Sequence, residues 1–153
     1  MAGEDARLAT GGDARDVARL LHEARAERAT PAPRAEVLAE RLAALLERED
    51  TFAIVAGTPS IAVGLVTLRP NVWSGTIAVL DEVFVAVDAR RAGVGSAVLA
   101  LVVAEAARRG ATVLATEVGE ADVDPQRFLE RHGLVIVDPA TDDRTLAVRR
   151  SIR

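Results

Sequence analysis

The chain moves between two hydrophobic rhythms. Near the start, Val17, Leu20, Leu21 and Ala24 recur at helical spacing behind Asp13, which stands as an N-cap with Asp16 three residues on. Ala6–Thr10, just before it, reads as a short first strand. Thr30-Pro31-Ala32-Pro33 breaks this helix and is placed to line a substrate mouth. Leu38, Leu42, Leu45 and Leu46 then give a second apolar helix face across Arg34 to Glu49. From Thr51 the pattern turns to strands. Thr51–Ala56 and Ile61–Leu68 flank the turn Gly57-Thr58-Pro59-Ser60, Arg69–Gly75 reads as a loop, and Thr76–Val87 as a long third strand of an antiparallel meander. Val94, Ala97, Val98 and Leu101 mark a helix over Gly93–Arg109, with Gly110 as its stop signal. Ala111–Val118 is a buried strand and Asp124–His132 a short helix followed by Gly133. Leu134–Val137 and Thr145–Val148 close the chain around a turn-like stretch from Asp138 to Asp143. The predicted order is strand, two helices, three strands, helix, strand, helix, two strands.

Composition narrows the chemistry. At 153 residues the chain is read as one domain, 1–153, large enough to bury its own core. It has no cysteine, so disulfides, thiolate metal sites and cysteine nucleophiles are excluded. His22 and His132 stand far apart in sequence, and no metal is expected. All 19 basic residues are arginine. A net charge of −4 argues against nucleic-acid partners. The acidic N-terminus lacks the apolar core of a signal peptide, and the longest apolar run, around Ala97–Ala107, contains Glu105. That run is too short for a membrane span, so the expected location is cytoplasmic.

The most informative stretch is Val83 to Ser96, a buried strand leading through a glycine turn into a helix start. Backbone amides in such a turn can hold a pyrophosphate, and Arg90 and Arg91 place positive charge beside it. A P-loop needs a lysine that this chain lacks. A dinucleotide fingerprint fares little better: Val98 occupies the third glycine position, and three strands and two helices precede the turn. Glu117, about 20 residues beyond the turn, is all that resembles the ribose-binding acid of that fingerprint.

Arg90-x-x-Gly93-x-Gly95 after a long strand resembles the acetyl-CoA signature of the GNAT superfamily of N-acetyltransferases. Arg7-Leu8-Ala9-Thr10 with Asp13 looks like that family's opening strand and helix. Asp81-Glu82-Val83-Phe84-Val85 looks like its fourth strand, and Phe128 to Leu134 like its late helix-to-strand segment. The resemblance covers nearly the whole chain. It implies an α/β (α+β) fold: a central, mostly antiparallel mixed sheet of about seven strands, flanked by four helices and splayed between the fourth and fifth strands. It also implies that Val83, Phe84 and Val85 pair with the pantetheine arm of acetyl-CoA like an added strand. The amides of Arg91, Ala92, Gly93, Val94, Gly95 and Ser96 take the pyrophosphate, with Arg90 shaping the turn. Asp122 is carried over as a further cofactor-side residue, and a homodimer is the expected assembly.

Amine acetylation needs a base, because an alkylammonium with a pKa near ~10.4 has no lone pair to attack with. Glu82 lies on the cofactor strand, three residues before Val85, and Glu117 lies near the end of the next strand. Bacterial enzymes that acetylate the N-terminus of ribosomal proteins have a glutamate at the position of Glu117. Many family members carry a tyrosine that protonates the departing thiolate, but its position here is Leu129 and the chain has no tyrosine. His132 is the nearby stand-in. Trp73 is placed to stack on substrate, or to bury at a dimer contact or in the local core. Two functions stay open on these residues: an acetyl-CoA-dependent N-acetyltransferase acting on a primary amine in a ternary complex, and a non-catalytic acyl-CoA-binding sensor.

Overall fold

The computed structural model describes residues 5–119, 123–138 and 145–152. The strands are β1 (Ala6–Leu8), β2 (Thr51–Ala56), β3 (Ala62–Asn71), β4 (Gly75–Val85), β5 (Val113–Gly119), β6 (Val135–Asp138) and β7 (Thr145–Ser151). The helices are α1 (Ala14–Glu27), α2 (Ala35–Leu46), α3 (Val94–Arg108) and α4 (Val123–Arg131). The sheet order is β1-β2-β3-β4-β5-β7-β6. The chain divides into two compact units, one of residues 1–66 and 82–102, the other of 67–81 and 103–153.

In the first unit, the apolar stripe of α1 buries Ala14, Val17, Ala18, Leu20 and Ala24. Leu42 of α2 joins Val17, Leu20, Ala53, Val55, Val63 and Leu65 in one cluster, with Phe84 and Ala86 packed against it. The alternate residues of β2, Phe52 and Ile54, are buried as well. Both faces of β2 are therefore covered, as its unbroken apolar sequence requires. α3 contributes Val94, Val98, Leu99 and Val102 to the buried set.

In the second unit, β5 pairs parallel with β4 over three residues, Ile77↔Val113 to Val79↔Ala115. The next link is a hydrogen bond from the Thr116 hydroxyl to the Leu80 carbonyl, 2.7 Å. β5 pairs antiparallel with β7 along its full length, and β6 pairs antiparallel with β7 through a bulge between Ile136 and Asp138. The β4–β5 pair departs from the mostly antiparallel expectation because the chain returns through a helix, and a crossover of that length brings strands back in parallel.

Three local expectations are corrected. Asp13 precedes α1, but its carboxylate makes no cap hydrogen bond to that helix. It turns back instead, accepting from the Thr10 amide at 2.8 Å and from both terminal nitrogens of Arg7. The predicted Arg69–Gly75 loop shrinks to a tight hairpin, because β3 runs on through Arg69, Pro70 and Asn71. The Asn71 side chain organises this turn by accepting from the Trp73 and Ser74 amides, a local bond that only the folded turn reveals. Trp73 at its tip is 90% exposed, so it is no part of a local core. The predicted turn after Asp138 lies outside the described residues.

Candidate functional site

The first unit carries the glycine turn singled out from the sequence. β4 ends at Val85, a single 3-10 turn follows over Val87–Ala89, and α3 begins at Val94. Between them the backbone is left-handed at Arg91 (φ 68°) and Gly93 (φ 81°). Glycine suits that conformation; arginine adopts it at a cost of roughly 1 kcal/mol, which the surrounding structure must hold in place. A β-carbon built on Gly93 meets nothing within 4 Å, so the space over the turn is open. Among the described residues, the amides of Arg91, Ala92, Gly93, Val94 and Gly95 make no backbone hydrogen bond. Consecutive unpaired amides at the N-terminus of a 15-residue helix, entered through left-handed residues, form the kind of concavity that cradles an anion. The donor set fits a diphosphate. Ser96 lies in the first turn of α3, on the exposed side.

Arg90 is committed to the fold around this turn. Its Nε donates to the Val85 carbonyl at 3.0 Å, and one terminal nitrogen donates to Glu27 Oε2 at 2.7 Å. Its guanidinium lies 5.5 Å from the centre of the Phe84 ring. The hydrogen bond from Arg90 holds the Glu27 carboxyl below the usual range, against the opposing effect of burial. Arg90 thus ties the last turn of α1 to the end of β4. Val83, Phe84 and Val85 are all half-buried.

A pocket of about 90 Å³ opens beside this strand, within the same unit. Leu21, Ala24 and Leu38 form its apolar wall, and Glu82 of β4 lines it together with Arg25 and Arg28. Ala32 and Pro33 contribute from the α1–α2 connection. Phe84, two residues on from Glu82, packs against the α1–α2 core. The period-two alternation of β4 therefore turns Glu82 toward the same helices. Arg25 and Arg28 were not singled out from sequence. The signal was present, since the apolar stripe of α1 ends in arginines just before two prolines, but nothing local said which way they point.

The second unit holds the remaining candidates. Glu117 is exposed on β5, opposite Ala147 of β7. Leu129 is 3% exposed in α4, so the position where the resemblance leads one to expect a tyrosine is packed over with an aliphatic side chain. His132 follows α4 with its ring 4.9 Å from that of Phe128. Burial, then the charges of Arg131 and Arg150, push its pKa down. Asp122 lies outside the described residues. Among the described residues no cluster of three or more His, Cys, Asp or Glu could hold a metal, and no helix is long and apolar enough to cross a membrane.

The sequence model of the Acetyltransferase (GNAT) family matches residues 16–134, from α1 through α4. The chain belongs to the GNAT family. A crystal structure of a candidate acetyltransferase from an Arthrobacter species is 36% identical, with a TM-score of 0.81 over 94% of this chain and 93% of that one. An acetyltransferase from Thermus thermophilus (19% identity, TM-score 0.77, 99% of each chain) shares the fold. So does a GNAT-family acetyltransferase from Streptococcus pneumoniae (16% identity, TM-score 0.78, 97% of this chain and 98% of that one). No curated protein matches the sequence. GNAT proteins transfer acyl groups from acyl-CoA, and the matched span includes the Arg91–Gly95 turn.

Proposed function

We propose that this GNAT protein is an N-acetyltransferase that moves an acetyl group from acetyl-CoA to a primary amine by direct attack in a ternary complex. The observation that carries the reading is the run of unpaired amides from Arg91 to Gly95, entered through left-handed Arg91 and Gly93. These amides hold the diphosphate, and the helix N-terminus behind them adds positive potential. The backbone of Val83 to Val85 holds the pantetheine arm as an added strand. The thioester of bound acetyl-CoA supplies an activated acyl group.

The chain's own residues must supply a free amine. Glu82, facing the pocket, receives the ammonium and takes its proton. Glu117 is the second carboxylate proposed for the acceptor side. No tyrosine is present to return a proton to the leaving sulfur, but a thiol with a pKa near ~8.5 leaves tolerably without one. The buried Leu129 at that position is the one observation favouring a non-catalytic acyl-CoA sensor.

Calorimetric titration with CoA, followed by thiol release from acetyl-CoA across an amine panel, separates the two. Tight CoA binding with amine-dependent thiol release is the expected result. Glu82→Gln lowers kcat/KM more at neutral than at alkaline pH, where the amine deprotonates unaided. CoA binding with no turnover on any amine, even at alkaline pH, leaves the sensor reading.

A further inference from the structure

We infer that the acceptor is a small zwitterion, a primary amine with a carboxylate a few bonds away, as in a free amino acid. This inference rests on the acetyl-transfer reading and concerns the pocket beside Glu82. The pocket has a volume of about 90 Å³. A pocket of this size suits a small amine with a short side group. Leu21, Ala24 and Leu38 suit a short aliphatic side group.

Charge decides the rest. The lining carries two arginines and one glutamate. Glu27, the neighbouring acid on α1, is already engaged by Arg90 and offsets Arg28 only in part. Arg25 donates to the Pro31 carbonyl at 3.3 Å, which fixes its arm over the proline segment and leaves further N–H groups for a ligand. Arg28 makes no side-chain hydrogen bond or ion pair among the described residues, and its charge is felt at Glu27. A plain amine entering here brings a third cation. An amine that also carries a carboxylate places its ammonium on Glu82 and its carboxylate on the planar arginine forks, which match that geometry. Selectivity then comes as much from repelling unaccompanied cations as from attracting the anion.

The test compares free alanine and valine with their methyl esters and their decarboxylated amines. It reads kcat/KM with acetyl-CoA, and calorimetric affinity on the protein alone. The free amino acids are expected to lead by about ten-fold or more in both measurements, the size of one charge-assisted hydrogen bond. Arg28→Gln, at an exposed position, should erase most of that preference through KM, with CoA affinity unchanged. Arg28→Glu should invert it. Wild-type preference for the esters or amines, or unchanged discrimination in both Arg28→Gln and Arg25→Gln, overturns the inference while acetyl transfer stands. Arg28-dependent amino-acid binding without turnover on any amine supports the pocket assignment and overturns the transferase reading.

Discussion

The turn proposed to hold the cofactor and the pocket proposed for the acceptor lie in one compact unit and are built in opposite ways. The turn is made of backbone: five amides, two left-handed residues and an open glycine, with side chains serving to shape it. The pocket is made of side chains gathered from α1, the α1–α2 connection, α2 and β4. A backbone site tolerates most side-chain changes but not a misplaced β-carbon. A side-chain site has the reverse sensitivity, since each substitution alters shape or charge directly. Under the proposed function, this contrast lets one fold keep its cofactor while its acceptor changes.

The largest predicted effect strikes the backbone site. Gly93→Glu places a carboxylate in the open space over the cradle and forces a left-handed conformation on a residue with a side chain. CoA affinity should fall by about a hundred-fold or more, combining like-charge repulsion with lost amide contacts. Because the added β-carbon meets no protein atom within 4 Å, the fold should survive, which circular dichroism can verify. Amino-acid affinity measured without CoA should barely change. A Gly93→Glu protein that still binds CoA normally removes the cradle from its assigned place.

Arg90 tests the shaping side chains. Its bond to the Val85 carbonyl and its contact with Phe84 fix the end of β4, whereas its ion pair with Glu27 is well exposed, at 39% and 46% for the two side chains. An ion pair so exposed contributes little by itself. Arg90→Gln should therefore weaken CoA by about ten-fold through the turn's geometry, and the loss should persist in high salt. Arg91→Gln removes an exposed charge beside the cradle; its smaller loss should shrink as salt screens it. Equal salt dependence in the two variants would make Arg90 a charge like any other.

The same contrast governs what could be read without coordinates. Gly93 and Gly95 mark a turn in the chain itself, and the structure has a left-handed, open turn at Gly93; that it cradles a diphosphate is the proposal. The element order was legible because α1 and α3 carry apolar residues at helical spacing and β2 is a short unbroken apolar run ended by a turn. The pocket was legible only in its proline segment and in Glu82. Arg25 and Arg28 fall on α1 and its C-terminal end, at positions whose direction depends on where the helix stops and how α2 folds back. The Arg90–Glu27 link joins residues 63 apart and has no local signature. Asp13 was read as a cap because its type and place fit one, and Arg7, brought alongside by β1, made a better partner. Tertiary pairing overrode a sound local rule.

Asp13 also supplies the smallest and most pH-sensitive test. The hydrogen bonds from Arg7, and secondarily the amide of Thr10, lower its pKa to about 2 against the opposing effect of burial. A depressed carboxylate pKa means that the folded state is stabilised above the ordinary range near ~3.9 and loses that stabilisation as pH falls toward the folded value. Asp13→Asn should cost about 1 kcal/mol at neutral pH, a melting shift of about 2–4 °C for a chain of this size. The gap between variant and wild type should close as the solution is acidified toward pH about 2. Asp13 anchors the start of α1, the helix that bears Leu21, Ala24 and Arg25 of the pocket, while the cradle hangs from β4 and α3. Asp13→Asn should therefore raise KM for the amine and leave CoA affinity where it was. If it weakens both equally, backbone cradle and side-chain pocket respond as one body, and the separation drawn between them fails.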